Sequence, residues 1–205
     1  MRPQRVVLNC PSCGSEVPSA LQYSKLAVCG ACRTTLFLED QVVKHAGVKS
    51  VLSEEPSLLS LGRRFRYKTW LFEPLGRLRF DYGDGFWDEW WVLLDTGAGR
   101  WFSIDEGDIA IEVPLELTGE APDLDAMQVG QEVSLEGMRL RVTEKQTATC
   151  VGMEGELPEV SFPGDVHDYV HLSGPRGTIV TGEHFEGTTE FYTGAWVDPF
   201  MVEAV

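Results

Sequence analysis

Glu89-Trp90-Trp91-Val92-Leu93-Leu94-Asp95, followed by Gly99 and then by Trp101-Phe102-Ser103-Ile104-Asp105, decides the fold class of this chain. Trp90 to Leu94 is a short continuous apolar run closed by an aspartate, and such runs bounded by Gly and Asp read as strands. The block is therefore strand, glycine-containing hairpin, strand. Working outward, Arg64-Phe65-Arg66-Tyr67 and Arg77-Leu78-Arg79-Phe80-Asp81-Tyr82 alternate with the period of two that a half-buried strand requires. Helical period is scarce, and only Ala121 to Val129 has room for a turn or two. The expected class is mostly β and antiparallel.

The same block recurs. Setting Gly99 on Gly177 without gaps brings Trp91-Val92-Leu93-Leu94 onto Tyr169-Val170-His171-Leu172, and Trp101–Asp105 onto Ile179-Val180-Thr181-Gly182-Glu183. Upstream, Leu61-Gly62-Arg63-Arg64-Phe65 lies on Val129-Gly130-Gln131-Glu132-Val133. The offset is 68 at the opening and 78 at the hairpin, which places a ten-residue insertion in the second unit. Two copies of one antiparallel unit, about 60–112 and 128–205, can bury a shared face as a sandwich or barrel-like domain.

Four of the five cysteines stand apart from this region, as Cys10-Pro11-Ser12-Cys13 and Cys29-Gly30-Ala31-Cys32 with 15 residues between the pairs. That spacing is the four-thiolate zinc pattern. Each pair can turn both sulfurs toward one point, with Gly14 and Gly30 expected to supply the permissive backbone. Glu16-Val17-Pro18, Lys25-Leu26-Ala27-Val28 and Thr34-Thr35-Leu36-Phe37-Leu38 read as short strands, so residues 1–40 form a small zinc ribbon. Four sulfurs complete a tetrahedron and leave no open position, so the zinc is structural, and His45 and the lone Cys150 stay outside the site. A disulfide framework is disfavoured by the missing signal-peptide stretch, and a redox pair by the occurrence of both pairs together at metal-site spacing. Residues 41–59, mixed in pattern and containing Glu54-Glu55-Pro56-Ser57, read as a linker before the duplicated β domain of residues 60–205.

Charge divides the chain in the same place. The net charge is -15, yet residues 1–50 carry six Lys/Arg against three acids, leaving 11 basic and 29 acidic side chains for the rest. The acidic part repels phosphate backbones, and four thiolates with one zinc reduce the ribbon's +3 to about +1, so nucleic acid is not the expected partner. No apolar run approaches the length of a membrane span, and the N-terminal residues lack a signal-peptide apolar stretch. The expectation is a cytoplasmic protein with no direct membrane insertion.

These residues resemble the bacterial domain of unknown function 4178, a mostly β family. The likeness rests on Leu61-Gly62, the Glu89–Asp95 strand, Gly99 and the Trp101–Asp105 strand, and members often carry an N-terminal four-cysteine ribbon, as here. The resemblance covers essentially the whole chain. It implies no activity, but it does imply an accessory role linked to membrane-stress or polyamine-related gene clusters.

The densest local chemistry is Phe80 to Trp91, with six aromatics and four acids in twelve residues. One reading makes the tryptophans core and the Asp-Gly residues a solvated turn. The other makes Asp84, Trp87, Asp88 and Glu89 a site for a small organic cation such as a polyamine, held by cation–π contact and ion pairing. His167 and His171, four apart, would share a metal on a helix, but on a strand they lie about 13 Å apart, too far for one ion. No nucleophile elbow, phosphate loop or dinucleotide fingerprint occurs. The expected function is therefore a non-enzymatic accessory or adaptor protein with a protein partner, and the cation-binding module is the alternative.

Overall fold

The computed structural model describes residues 6–19, 24–39, 42–53 and 55–205, without the side chains of Pro18, Glu39 and residues 42–47. Strands β1 (Val6–Asn9) and β2 (Glu16–Ser19) form a two-stranded sheet of their own. Strands β3 (Leu26–Val28), β4 (Thr34–Glu39) and β5 (Val42–Lys49) form an antiparallel meander. The stretch read as a linker thus contributes a strand at 42–49. Its valines sit among Lys, His, Ala and Gly, so no local period announces a strand that pairing with β4 creates.

Next comes a five-strand meander: β6 (Phe65–Tyr67), β7 (Trp70–Asp81), β8 (Phe86–Leu94), β9 (Gly99–Asp105) and β10 (Asp108–Pro114). A second follows as β11 (Glu132–Leu135), β12 (Met138–Leu157), β13 (Val166–Ser173), β14 (Thr178–Phe185) and β15 (Thr188–Val197), and β16 (Val202–Ala204) returns to pair with β6. Every pairing is antiparallel. Hydrogen bonds run β7-β8-β9-β10-β15-β14-β13-β12, and β12 pairs back onto β7, so eight strands close into a ring. Two glycines permit this closure. A Cβ on Gly76 would strike the Glu156 carbonyl, and one on Gly155, which holds φ +73°, would strike that of Leu75.

The two meanders correspond pair by pair. A register shift between Pro74 and Gly76 where β7 meets β8 recurs between Val142 and Glu144 where β12 meets β13, 68 positions on. The pair Trp91 and Trp101 becomes His171 and Thr181, and the turn Glu106-Gly107 becomes Glu186-Gly187, all with φ near +45° to +105°, 80 positions on. The halves meet where Asp81 faces Thr149 and Val113 faces Thr193. The glycine alignment is therefore off by two: it matches Trp91 to Tyr169 and Trp101 to Ile179, but Tyr169 pairs with Glu183 and Ile179 with Ser173. The two glycines do different work, Gly99 opening a strand while Gly177, at φ +77°, closes a turn.

Alternate residues on each strand face opposite ways. Trp90, Val92, Phe102 and Ile109 point outward from the first half and pack under Phe65, Tyr67 and Val202. Val170, Leu172 and Val180 point outward from the second half and are covered by Leu124 and Met127. These last two lie in Ala121–Val129, which forms turns rather than any helix. The ribbon is joined to the ring as added strands: Leu26 and Ala27 pair with Leu157 and Glu156 at the end of β12, and Leu26 and Val28 share a cluster with Leu78, Met153 and Leu157. Among the described residues no helix is long and apolar enough to cross a membrane.

Candidate metal centre and the acidic hairpin

The two cysteine pairs sit on matching knuckles. Cys10 N–H donates to the Ser15 carbonyl and Gly14 N–H to the Cys10 carbonyl; in the second knuckle Cys29 N–H donates to Thr34 and Arg33 N–H to Cys29, all at 2.8–2.9 Å. The left-handed residue is Gly14 in the first (φ 76°) and Arg33, not Gly30, in the second (φ 63°). Arginine carries a steric penalty there that glycine would avoid, so residue type pointed to the wrong position.

The knuckles bring Cys10 Sγ to 3.7 Å from Cys32 Sγ, and Cys13 Sγ to 3.7 Å from Cys29 Sγ. All four sulfurs lie within 4.8 Å of one another. A tetrahedron with metal–sulfur bonds of about 2.3 Å has edges of about 3.8 Å, so this spacing fits one four-coordinate ion, and it is far beyond a disulfide bond of about 2.05 Å. Cys32 Sγ lies 3.3 Å from the Thr34 hydroxyl, which accepts from it and donates to Ser12 Oγ at 3.5 Å. Cys150 is buried in the ring, its Sγ 3.8 Å from the Gly152 carbonyl oxygen. The side chain of His45 lies outside the described residues.

The four hairpin residues proposed for a cation do not converge. Asp84 is exposed in the β7–β8 turn. Asp88 faces outward, where its carboxylate accepts from Arg79 Nε at 2.7 Å and pairs with Arg77 Nη1 at 3.1 Å. Both guanidiniums are buried, and Arg77 also reaches Glu154 at 2.8 Å. Trp87 and Glu89 face inward instead, and Trp87 Nε1 donates to Glu89 Oε1 at 2.9 Å. Trp90 is core, 1% exposed.

Inside the ring Glu89 meets residues that no local motif marked. With Glu112 of β10, Glu183 of β14, Trp101 and Tyr192 it lines one small space. Thr181 donates to Glu112 at 2.9 Å. Burial first, and then the charges of Glu112 and Glu183, raise the Glu89 carboxyl well above its ordinary value. Glu183 is pushed up to about 8 by burial and by Glu159, Glu112 and Glu190. The one available signal was Glu112 in Ile109-Ala110-Ile111-Glu112-Val113, an acid at an alternate position of an apolar strand. His167 and His171 share the inward face of β13; His171 Nδ1 lies 3.1 Å from Glu144, while His167 stacks on Phe185 with centroids 4.3 Å apart. His184 is held by Thr189 at 2.8 Å.

Residues 60–199 match a family described as "Domain of unknown function (DUF4178)". No curated protein and no solved structure matches the chain.

Proposed function

The chain belongs to the DUF4178 family, and we infer that it is a non-enzymatic accessory protein: a zinc-stabilised ribbon fixed to a β ring that docks a protein partner through an outer aromatic groove. The observation that carries this reading is the groove itself. Trp70 and Trp196, 40% and 48% exposed, line it with Tyr67, Ile111, Lys68 and Arg100 around a volume of about 450 Å³. Phe200, in the turn just after β15, is 93% exposed. Tryptophans of this kind are the usual anchors of protein interfaces, since they bring large rigid area with few rotatable bonds. The chain as a whole carries a net charge of -15, while the charged side chains that line the groove itself are Lys68 and Arg100, so a partner with neutral or acidic groups around an apolar contact fits it.

The four-sulfur centre supports the non-catalytic part of the reading. Zinc's bond lengths and tetrahedral preference suit these four sulfurs, which supports zinc as the ion, and a closed site would give it a folding role. Purified protein is expected to carry one zinc per chain and Cys13→Ser to lose it, by metal analysis. Because β3 is bonded to β12, the same variant should also lower the ring's melting temperature.

Affinity capture from the source lysate tests the docking role. Wild-type protein should retain a reproducible protein that Trp70→Ala/Trp196→Ala, with an unchanged melting temperature, does not. Equal retention by both proteins, or turnover of a small molecule without any such partner, would overturn the reading.

A further inference from the structure

We propose that the interior of the β ring is a binding site for a small organic cation with two amino groups, one seated deep among Glu89, Glu112 and Glu183 and the other toward Glu159 and Glu190. This goes beyond the docking role and uses a different part of the molecule.

Two neighbouring spaces share Glu159, Glu183 and Tyr192 as walls. The deep one holds only about 20 Å³, room for a group the size of water, such as a terminal ammonium. Four carboxylates line it, Glu89, Glu112 and Glu183 from three strands and Glu159 from the segment between β12 and β13, with Phe80, Trp101 and Tyr192 offering aromatic surface suited to cation–π contact. The outer space is about 260 Å³, enough for a short alkyl chain, and it opens past the exposed Glu186 and Thr188.

His167 gives an independent sign that something polar belongs there. It is 8% exposed, it lines the outer space, and its Nε2 has no hydrogen-bond partner among the described residues. Buried polar atoms are rarely left unsatisfied, and a neutral imidazole nitrogen can serve as acceptor for an amine. Burial does keep the His167 ring toward the neutral form, its pKa lowered against the pull of Asp165 and Asp168.

Charge points the same way. Among the described residues Lys25 bears on Glu159 and His171 on Glu112. Burial first, and then the neighbouring acids, raise Glu159 to about 7 and Glu183 to about 8, so an entering cation favours their charged forms and displaces protons. A single metal ion is the poorer occupant. Among the described residues only the cysteines form a group of three or more such ligands close enough to share an ion, whereas these carboxylates are divided between the two spaces.

Calorimetry on the full zinc-loaded chain tests this, with 1,4-diaminobutane and 1,6-diaminohexane as probes and butylamine and Mg²⁺ as controls. At least one diamine should bind tenfold or more tightly than butylamine and lose less than threefold between 0.15 and 0.5 M salt, roughly the range over which surface attraction is screened. Titrations near pH 7 in buffers of different ionisation heat should reveal proton release on binding. Glu183→Gln should weaken the diamine at least tenfold, and so should Glu89→Gln, read on whichever variant keeps a cooperative melt; Glu132→Gln, on exposed β11, and Trp196→Ala should not. No diamine binding, equal affinity for butylamine, full competition by Mg²⁺, loss of binding in salt, or equal weakening by Glu132→Gln would each overturn the proposal. Because Trp196→Ala touches only the groove, failure here leaves the docking role standing, and the reverse holds.

Discussion

Asp88 and Glu89 are neighbours in the chain, both acids on one strand, and they live in opposite electrostatic worlds. Asp88 faces outward into a buried pair of guanidiniums, 4–7% exposed, that stack over Phe86 and Trp90. Glu89 faces inward among other acids and, among the described residues, takes hydrogen bonds from the neutral donors Trp87 and Ser103. A run of acids is therefore no single feature: a strand's period of two deals alternate members to different chemistry. The compensated face serves the fold, and the uncompensated face keeps its repulsion.

The sharpest way to break this contrast is Asp88→Ala. It strands Arg79 and half of the pairing of Arg77 in a dry site, so urea melts should show a loss of about 3–5 kcal/mol. A loss below about 1 kcal/mol would mean that the outward pair is no more structural than a surface ion pair.

A smaller effect comes from pH on the inward face. Glu183, near 8 in the folded ring and about 4.3 when unfolded, binds a proton more tightly in the native state. Its contribution is complete below about 4.3 and is lost as pH rises through about 8, so unfolding free energy should fall between those limits. Urea melts at pH 5 and pH 8 should differ by more than about 1 kcal/mol, since a tenfold difference in proton affinity between the two states is worth about 1.4 kcal/mol. Glu183→Gln should shrink that difference, and an unchanged slope would place the repulsion elsewhere.

The smallest expected effect is Asp84→Ala in the exposed turn, within about 0.5 kcal/mol of wild type in the same melts. It completes the series: one acid that holds the fold, one that strains it and one that does neither.

What could be read from the residues was whatever is local. The cysteine ligands follow from spacing over a few residues, and strands β7, β8 and β9 follow from their apolar pattern. The interior was not legible, because Glu89, Glu112, Glu159, Glu183 and Glu190 are scattered over a hundred residues and meet only when β7 pairs with β12 and β10 with β15. The acid-rich hairpin drew attention to Trp87 and Glu89 but lumped them with Asp88, whose arginine partners lie on the adjacent strand. Strand β5 escaped notice because its pairing with β4, rather than its own composition, makes it a strand.

Strand β12 carries a consequence for how the chain reaches its shape. In its twenty residues it pairs with β13, with β7 and, at its last two positions, with β3. Its contact with β13 is local, but those with β7 and β3 close loops of about 70 and 130 residues, and such closures are entropically costly and slow. The two meanders should therefore form early, with the ring and the ribbon completed late around the same strand. Refolding should show a slow phase that reports on the β7–β12 seam, and in hydrogen exchange the amides there should be the last to gain protection.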